Sequence, residues 1–113
     1  MGNKIEVKDI LGEEVICSRD AWYGHATVHH PIMQKNLDAV KDTIEDPDFI
    51  YKSAENDERK VYFKKSDLSS YNLLTKVITE TIADNRSRIV TTWPQKSVKG
   101  GIGDEIYHRE ISI

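Results

Sequence analysis

Residues 21–52 read AWYGHATVHHPIMQKNLDAVKDTIEDPDFIYK and hold three of the four histidines and two of the three prolines. Within this stretch Met33, Leu37, Val40 and Ile44 recur at spacings of four, three and four, which lays one apolar stripe along a helix. Lys35, Asp38, Lys41, Asp42 and Glu45 fall elsewhere on its surface. Pro31 suits the first turn, where its missing N–H costs nothing, and Pro47 disfavours helical geometry at Asp46. The stripe is read as core packing. A shorter helix is expected just before it, over residues 21–29, with Ser18 and Asp20 as N-caps.

Outward from this helix pair the period changes to that of strands. Upstream, Ile5 and Val7 alternate with charged residues and Val15-Ile16-Cys17 reads as a return strand, so residues 4–17 are expected as a hairpin. Downstream, residues 49–52, 59–65, 73–82 and 88–93 are strand-like, with Asp67 to Ser70 a turn, Asp84-Asn85 a reversal and Pro94 an end. Glycines at 100, 101 and 103 form a link, and residues 105–111 add a last strand. Helices followed by a meander predict an α+β fold in which two N-terminal helices pack on an antiparallel β-meander. One domain is expected over residues 1–113: a core at 20–94, the amino-terminal hairpin, and an extension at 95–113.

Composition narrows the functions. Sixteen Lys and Arg against nineteen Asp and Glu give a net charge of −3, so binding of nucleic acid would need a local basic patch. No window is apolar enough to span a membrane, and the opening MGNKIEVKD lacks the apolar run of a signal peptide. Glu6 stands where a myristoylation motif wants Ser or Thr. Cys17 is the lone cysteine, which fits a reducing, cytoplasmic setting. The short tails suggest a free-standing chain.

The histidines open two chemistries. His25 and His29 are four apart and would share a helix face, a spacing that suits zinc. A third ligand is missing from the pattern, however, and Ala26 stands where an HExxH motif has Glu, so no metal or cofactor is assigned. The second chemistry is metal-free proton transfer. RNA cleavage by its own 2′-hydroxyl needs a base, an acid and donors for the charge that builds on the phosphorane. His25 and His30 can supply the first two roles. Arg59, Lys64 and Arg88, with the hydroxyls of Thr91 and Thr92, can hold the phosphate, while Tyr62 and Trp93 can stack on bases. Basic residues on strands also commonly form nothing more than a solvated face.

The run Trp22-x-x-His25, then His30-Pro31, then an amphipathic helix ending in Asp46-Pro47-Asp48-Phe49-Ile50-Tyr51, resembles prophage-associated domains of the barnase–EndoU–colicin–RelE superfamily. The later Arg88-Ile89-Val90-Thr91-Thr92-Trp93 is similar to the final core strand of those domains. The resemblance covers residues 22–94. It implies a helix pair on an antiparallel sheet, a metal-independent ribonuclease-like site at His25, His30, Thr91 and Thr92, and a phage or toxin association. It further implies RNA as substrate, tRNA among the candidates, and an immunity or antitoxin protein as partner. The net negative charge departs from the many basic ribonucleases of that superfamily. A non-catalytic binding module of phage or mobile-element origin is the alternative, and a metal site is a third reading.

Overall fold

Ile5 and Val7 alternate with Lys4, Glu6 and Lys8, and Val15 and Cys17 alternate with Glu14, Ile16 and Ser18, a period of two that favours paired strands. In the computed structural model, which describes residues 2–65 and 73–109, these become β1 (Asn3–Lys8) and β2 (Glu14–Ser18), an antiparallel hairpin. The buried Asp9 carboxylate closes its turn by accepting the N–H groups of Leu11 and Glu13, and Gly12 takes the left-handed φ of 88°. Five further strands follow: β3 (Phe49–Ser53), β4 (Arg59–Lys65), β5 (Leu74–Ala83), β6 (Arg86–Gln95) and β7 (Ile102–His108).

All seven lie in one sheet, in the order β1-β2-β6-β5-β4-β3-β7. The middle, β3 to β6, is an antiparallel meander, with Asn85 at φ 59° in the β5–β6 turn. On one side β2 pairs in parallel with β6, Glu14–Ile16 against Arg86–Arg88. On the other, β7 returns to the far edge and pairs antiparallel with β3. The sheet is therefore mixed, not a meander.

The expectation of two N-terminal helices packed on a meander is overturned. A hairpin comes first, and among the described residues α-helix is confined to two pieces, α1 (Arg19–Ala21) and α2 (Leu37–Glu45). Ser18 does cap α1, its hydroxyl accepting from the Ala21 N–H at 3.0 Å. The helix then widens into a π turn over Trp22–Ala26 and ends, because Thr27 and Val28 are β-branched and Pro31 disfavours helix at His30. The second expected helix is broken at Asn36, whose φ of −118° and ψ of 37° are not helical. Pro31–Lys35 forms a 3₁₀ turn, and the Asn36 amide donates back to the Ile32 carbonyl.

The stripe nonetheless reaches the core. Met33, Val40 and Ile44 are fully buried and Leu37 partly so, packed with Trp22, Ile50, Tyr62, Val77 and Ile89. Each such side chain contributes about 1.5–3 kcal/mol by leaving water. The hairpin adds Ile5, Val15 and Cys17 to the same cluster. Pro94 does not end its strand. Strand β2 reaches only Arg88, so Pro94 lies where β6 has no strand on that side and a missing N–H is tolerated. The turn expected at residues 67–70, and residues 110–111 of the expected last strand, lie outside the described residues.

Candidate functional site

The helices cover one face of the sheet; strand alternation sends the other set of side chains to the opposite face. Arg59, Glu80 and Arg88 are cross-strand partners on β4, β5 and β6, and Ile16 on β2 is paired with Arg88. Arg59, Arg88 and Ile16, together with His25, Ser18, Val90 and Ile82, line a cavity of about 480 Å³, and Glu80 lies between the two arginines. A second cavity, of about 360 Å³, continues across the same face between Val61, Lys76, Trp93 and Gly100. Arg59 lines both.

Two irregularities of the backbone meet at the first cavity. In β6 the register slips between its pairings Ile78↔Thr91 and Thr79↔Ile89, so Val90 is an extra residue, a β-bulge. Opposite it, the π turn of residues 22–26 presents His25. Bulges of either kind re-aim side chains and gather at functional sites. The Thr91 hydroxyl joins the two through a long contact of 3.4 Å to the Ala26 carbonyl.

The electrostatics are mixed. Glu80 accepts from both arginines, Arg59 Nε at 2.9 Å and Arg88 Nη2 at 2.9 Å, and Arg59 first, then Arg88, hold its carboxyl below the usual carboxylate range. The triad therefore carries one net positive charge, beside an exposed imidazole at His25. Among the described residues no group of three or more His, Cys, Asp or Glu side chains is placed to hold a metal ion.

The other expected site residues are spread more widely. His30 does not line the first cavity; its ring stacks on Trp93, centroids 5.9 Å apart. Trp93 also receives the Lys76 ammonium, 4.7 Å from its centroid, and its indole N–H donates to Gln95. Thr92 is buried and its hydroxyl donates to the Lys76 carbonyl at 2.8 Å. Tyr62 is fully buried, donates to Asp9 at 2.6 Å, and burial pushes its phenol far above the ordinary range. Lys64 reaches α2, pairing with Asp42 at 2.8 Å and Asp46 at 3.2 Å. His25, Arg59 and Arg88 come together at the first cavity, with Thr91 adjoining, while Arg59 and Trp93 share the second.

Glu80 and Lys76 were not singled out by sequence. Glu80 sits between two arginines only through strand register, which no local pattern displays. Lys76 is buried, donates to the carbonyls of Lys99 and Gly100, and has its amine pulled below the ordinary lysine range by burial. Its place in the expected strand 73–82 did not show that the loop after β6 folds over it.

Comparison with family models, with curated proteins and with solved structures finds no significant match.

Proposed function

We propose that this chain is a metal-independent endoribonuclease-like domain whose first cavity takes a phosphodiester of RNA. The observation that carries the reading is the placement of His25, Arg59 and Arg88 around one cavity. In such a cavity the arginines offset the charge of the phosphate as it becomes pentacoordinate. His25 moves a proton at the 2′-hydroxyl or at the leaving 5′ oxygen. The 2′ oxygen bonds to phosphorus, the bond to the 5′ oxygen breaks, and a 2′,3′-cyclic phosphate results. The resemblance of residues 22–94 to barnase–EndoU–colicin–RelE domains supports the same chemistry. Cytoplasmic RNA, tRNA among it, is the proposed substrate, and an immunity or antitoxin protein the proposed partner.

A second reading is favoured by two observations: Glu80 already occupies both arginines, and His30 lies outside the cavity. On that reading the same face binds RNA without cutting it. Purified protein is incubated with total RNA in excess chelator, beside His25→Ala and Arg88→Ala variants, and product ends are tested for cyclic phosphate. Cleavage that falls at least 100-fold in His25→Ala is the expected result, within the usual range for a lost proton carrier. Retention of RNA by uncleaving, folded protein would instead establish the binding module.

A further inference from the structure

The π turn that carries His25 is an uncommon local structure, and a single side chain is bonded across it. Thr27 is fully buried at the end of the turn. Its hydroxyl donates to the Trp22 carbonyl at 2.6 Å, and its backbone N–H donates to that same carbonyl at 3.3 Å. The 22→27 spacing is the i→i+5 bond that defines a π turn. The Gln34 amide, from the 3₁₀ turn that follows, donates to the Thr27 hydroxyl oxygen at 3.0 Å. Donor and acceptor capacity of the hydroxyl are thus both used, and the direction of its proton is fixed. The flanking residues are anchored as well: Trp22 and Ala26 are buried in the core. His25 and its neighbours Tyr23 and Gly24 are exposed between those anchors. An ordinary α-helix closes i→i+4 bonds at about 3.6 residues per turn, so without the wider i→i+5 turn the residues within and after it would be rotated about the helix axis and His25 would be aimed elsewhere.

We infer that Thr27, held by Gln34, is a positioning residue that locks the π turn and so aims His25 into the cavity beside Arg88. This rests on the reading of that cavity as a phosphate site, but the lock itself is a property of the fold. Thr27→Val keeps the branched shape and deletes the hydroxyl, whereas Thr27→Ser keeps the hydroxyl and removes a methyl.

The test is nuclear magnetic resonance of the histidine rings in wild type, Thr27→Val, Thr27→Ser and a core control, Val40→Ala, with and without inorganic phosphate. In the absence of phosphate, the His25 ring signals should move toward those of an unstructured histidine in Thr27→Val. They should return in Thr27→Ser and hold in Val40→Ala, although that control also loses stability. His108, on β7, should not respond in any variant. Unchanged His25 signals in folded Thr27→Val, or an equal shift in Val40→Ala, would overturn the positioning role. The phosphate arm is independent: wild-type His25 should respond to phosphate, and the midpoint should weaken about five- to tenfold in Thr27→Val. A wild-type His25 that shifts with Thr27→Val but ignores phosphate would keep the lock and sink the phosphate reading.

Discussion

At the scale of single residues, Glu80 governs what the candidate cavity can hold. Its two oxygens accept from Arg59 and Arg88, so on the proposed reading an incoming phosphate would compete with a carboxylate already in place. Replacing Glu80 with Gln removes that charge and leaves both guanidiniums facing the cavity. Binding of short single-stranded RNA to Glu80→Gln should tighten several-fold, with a steeper dependence on salt, since more positive charge then meets the backbone. Fluorescence anisotropy at two salt concentrations reads both effects. Unaltered affinity would mean that the arginines do not meet the ligand. Tyr62 and Lys64 illustrate the converse: on paper they are base-stacking and phosphate-binding types, but each is spent on an internal partner, Asp9 in one case and α2 in the other. Residue type was legible in the sequence; which side of the sheet each residue faced followed from alternation, and what it touched there did not.

At the scale of elements, the end of α2 is fastened to the sheet by charge. Asp46 receives Lys64 of β4 and Arg109 just past β7, the latter also bonded to Asp48. Lys64 first, then Arg109, hold the Asp46 carboxyl below its ordinary value. A carboxylate with a depressed folded pKa adds stability that is present above its unfolded pKa and is lost as pH falls through the folded one. The clamp should therefore be intact at neutral pH and weaken below about pH 4. Urea midpoints measured from pH 7 down to pH 3 should fall more steeply in wild type than in Asp46→Asn, which lacks the titrating group. Parallel curves would assign the acid sensitivity to other carboxylates. These pairs are largely exposed, so the effect at neutral pH should be small. The helix stripe of Met33, Val40 and Ile44 was readable from spacing alone, yet the break at Asn36 was not, because a 3₁₀ turn and an α-helix bury nearly the same positions.

At the scale of the whole molecule, the amino-terminal hairpin is part of the sheet. Ile5, Val15 and Cys17 lie in the central cluster, and β2 supplies the parallel neighbour of β6. Burial also pushes the Cys17 thiol up to about 11, so it should be inert while the chain is folded. A chain begun at Arg19 would expose Ile89 and Val77 and leave β6 as an edge, and should lose its cooperative thermal transition by circular dichroism. A sharp transition at an unchanged temperature would make the hairpin an appendage. The lesson for reading such chains lies in separation along the sequence. Strands β3 to β6 are successive along the chain, and their existence and their antiparallel order could be read from alternation and turn residues such as Asn85. The parallel pairing of Glu14–Ile16 with Arg86–Arg88 joins residues some seventy positions apart, and the return of β7 to β3 spans about fifty.

The sequence by itself determined which residues are strand formers, which apolar stripe enters the core, and that His25 and two arginines were available for acid–base and phosphate chemistry. Only the tertiary structure decided that His25, Arg59 and Arg88 share a cavity while His30, Thr92, Tyr62 and Lys64 do not. Periodicity is a local property of a chain, set by backbone geometry over a few residues. The company a side chain keeps is set by strand order and register, which depend on the burial of the entire sheet at once.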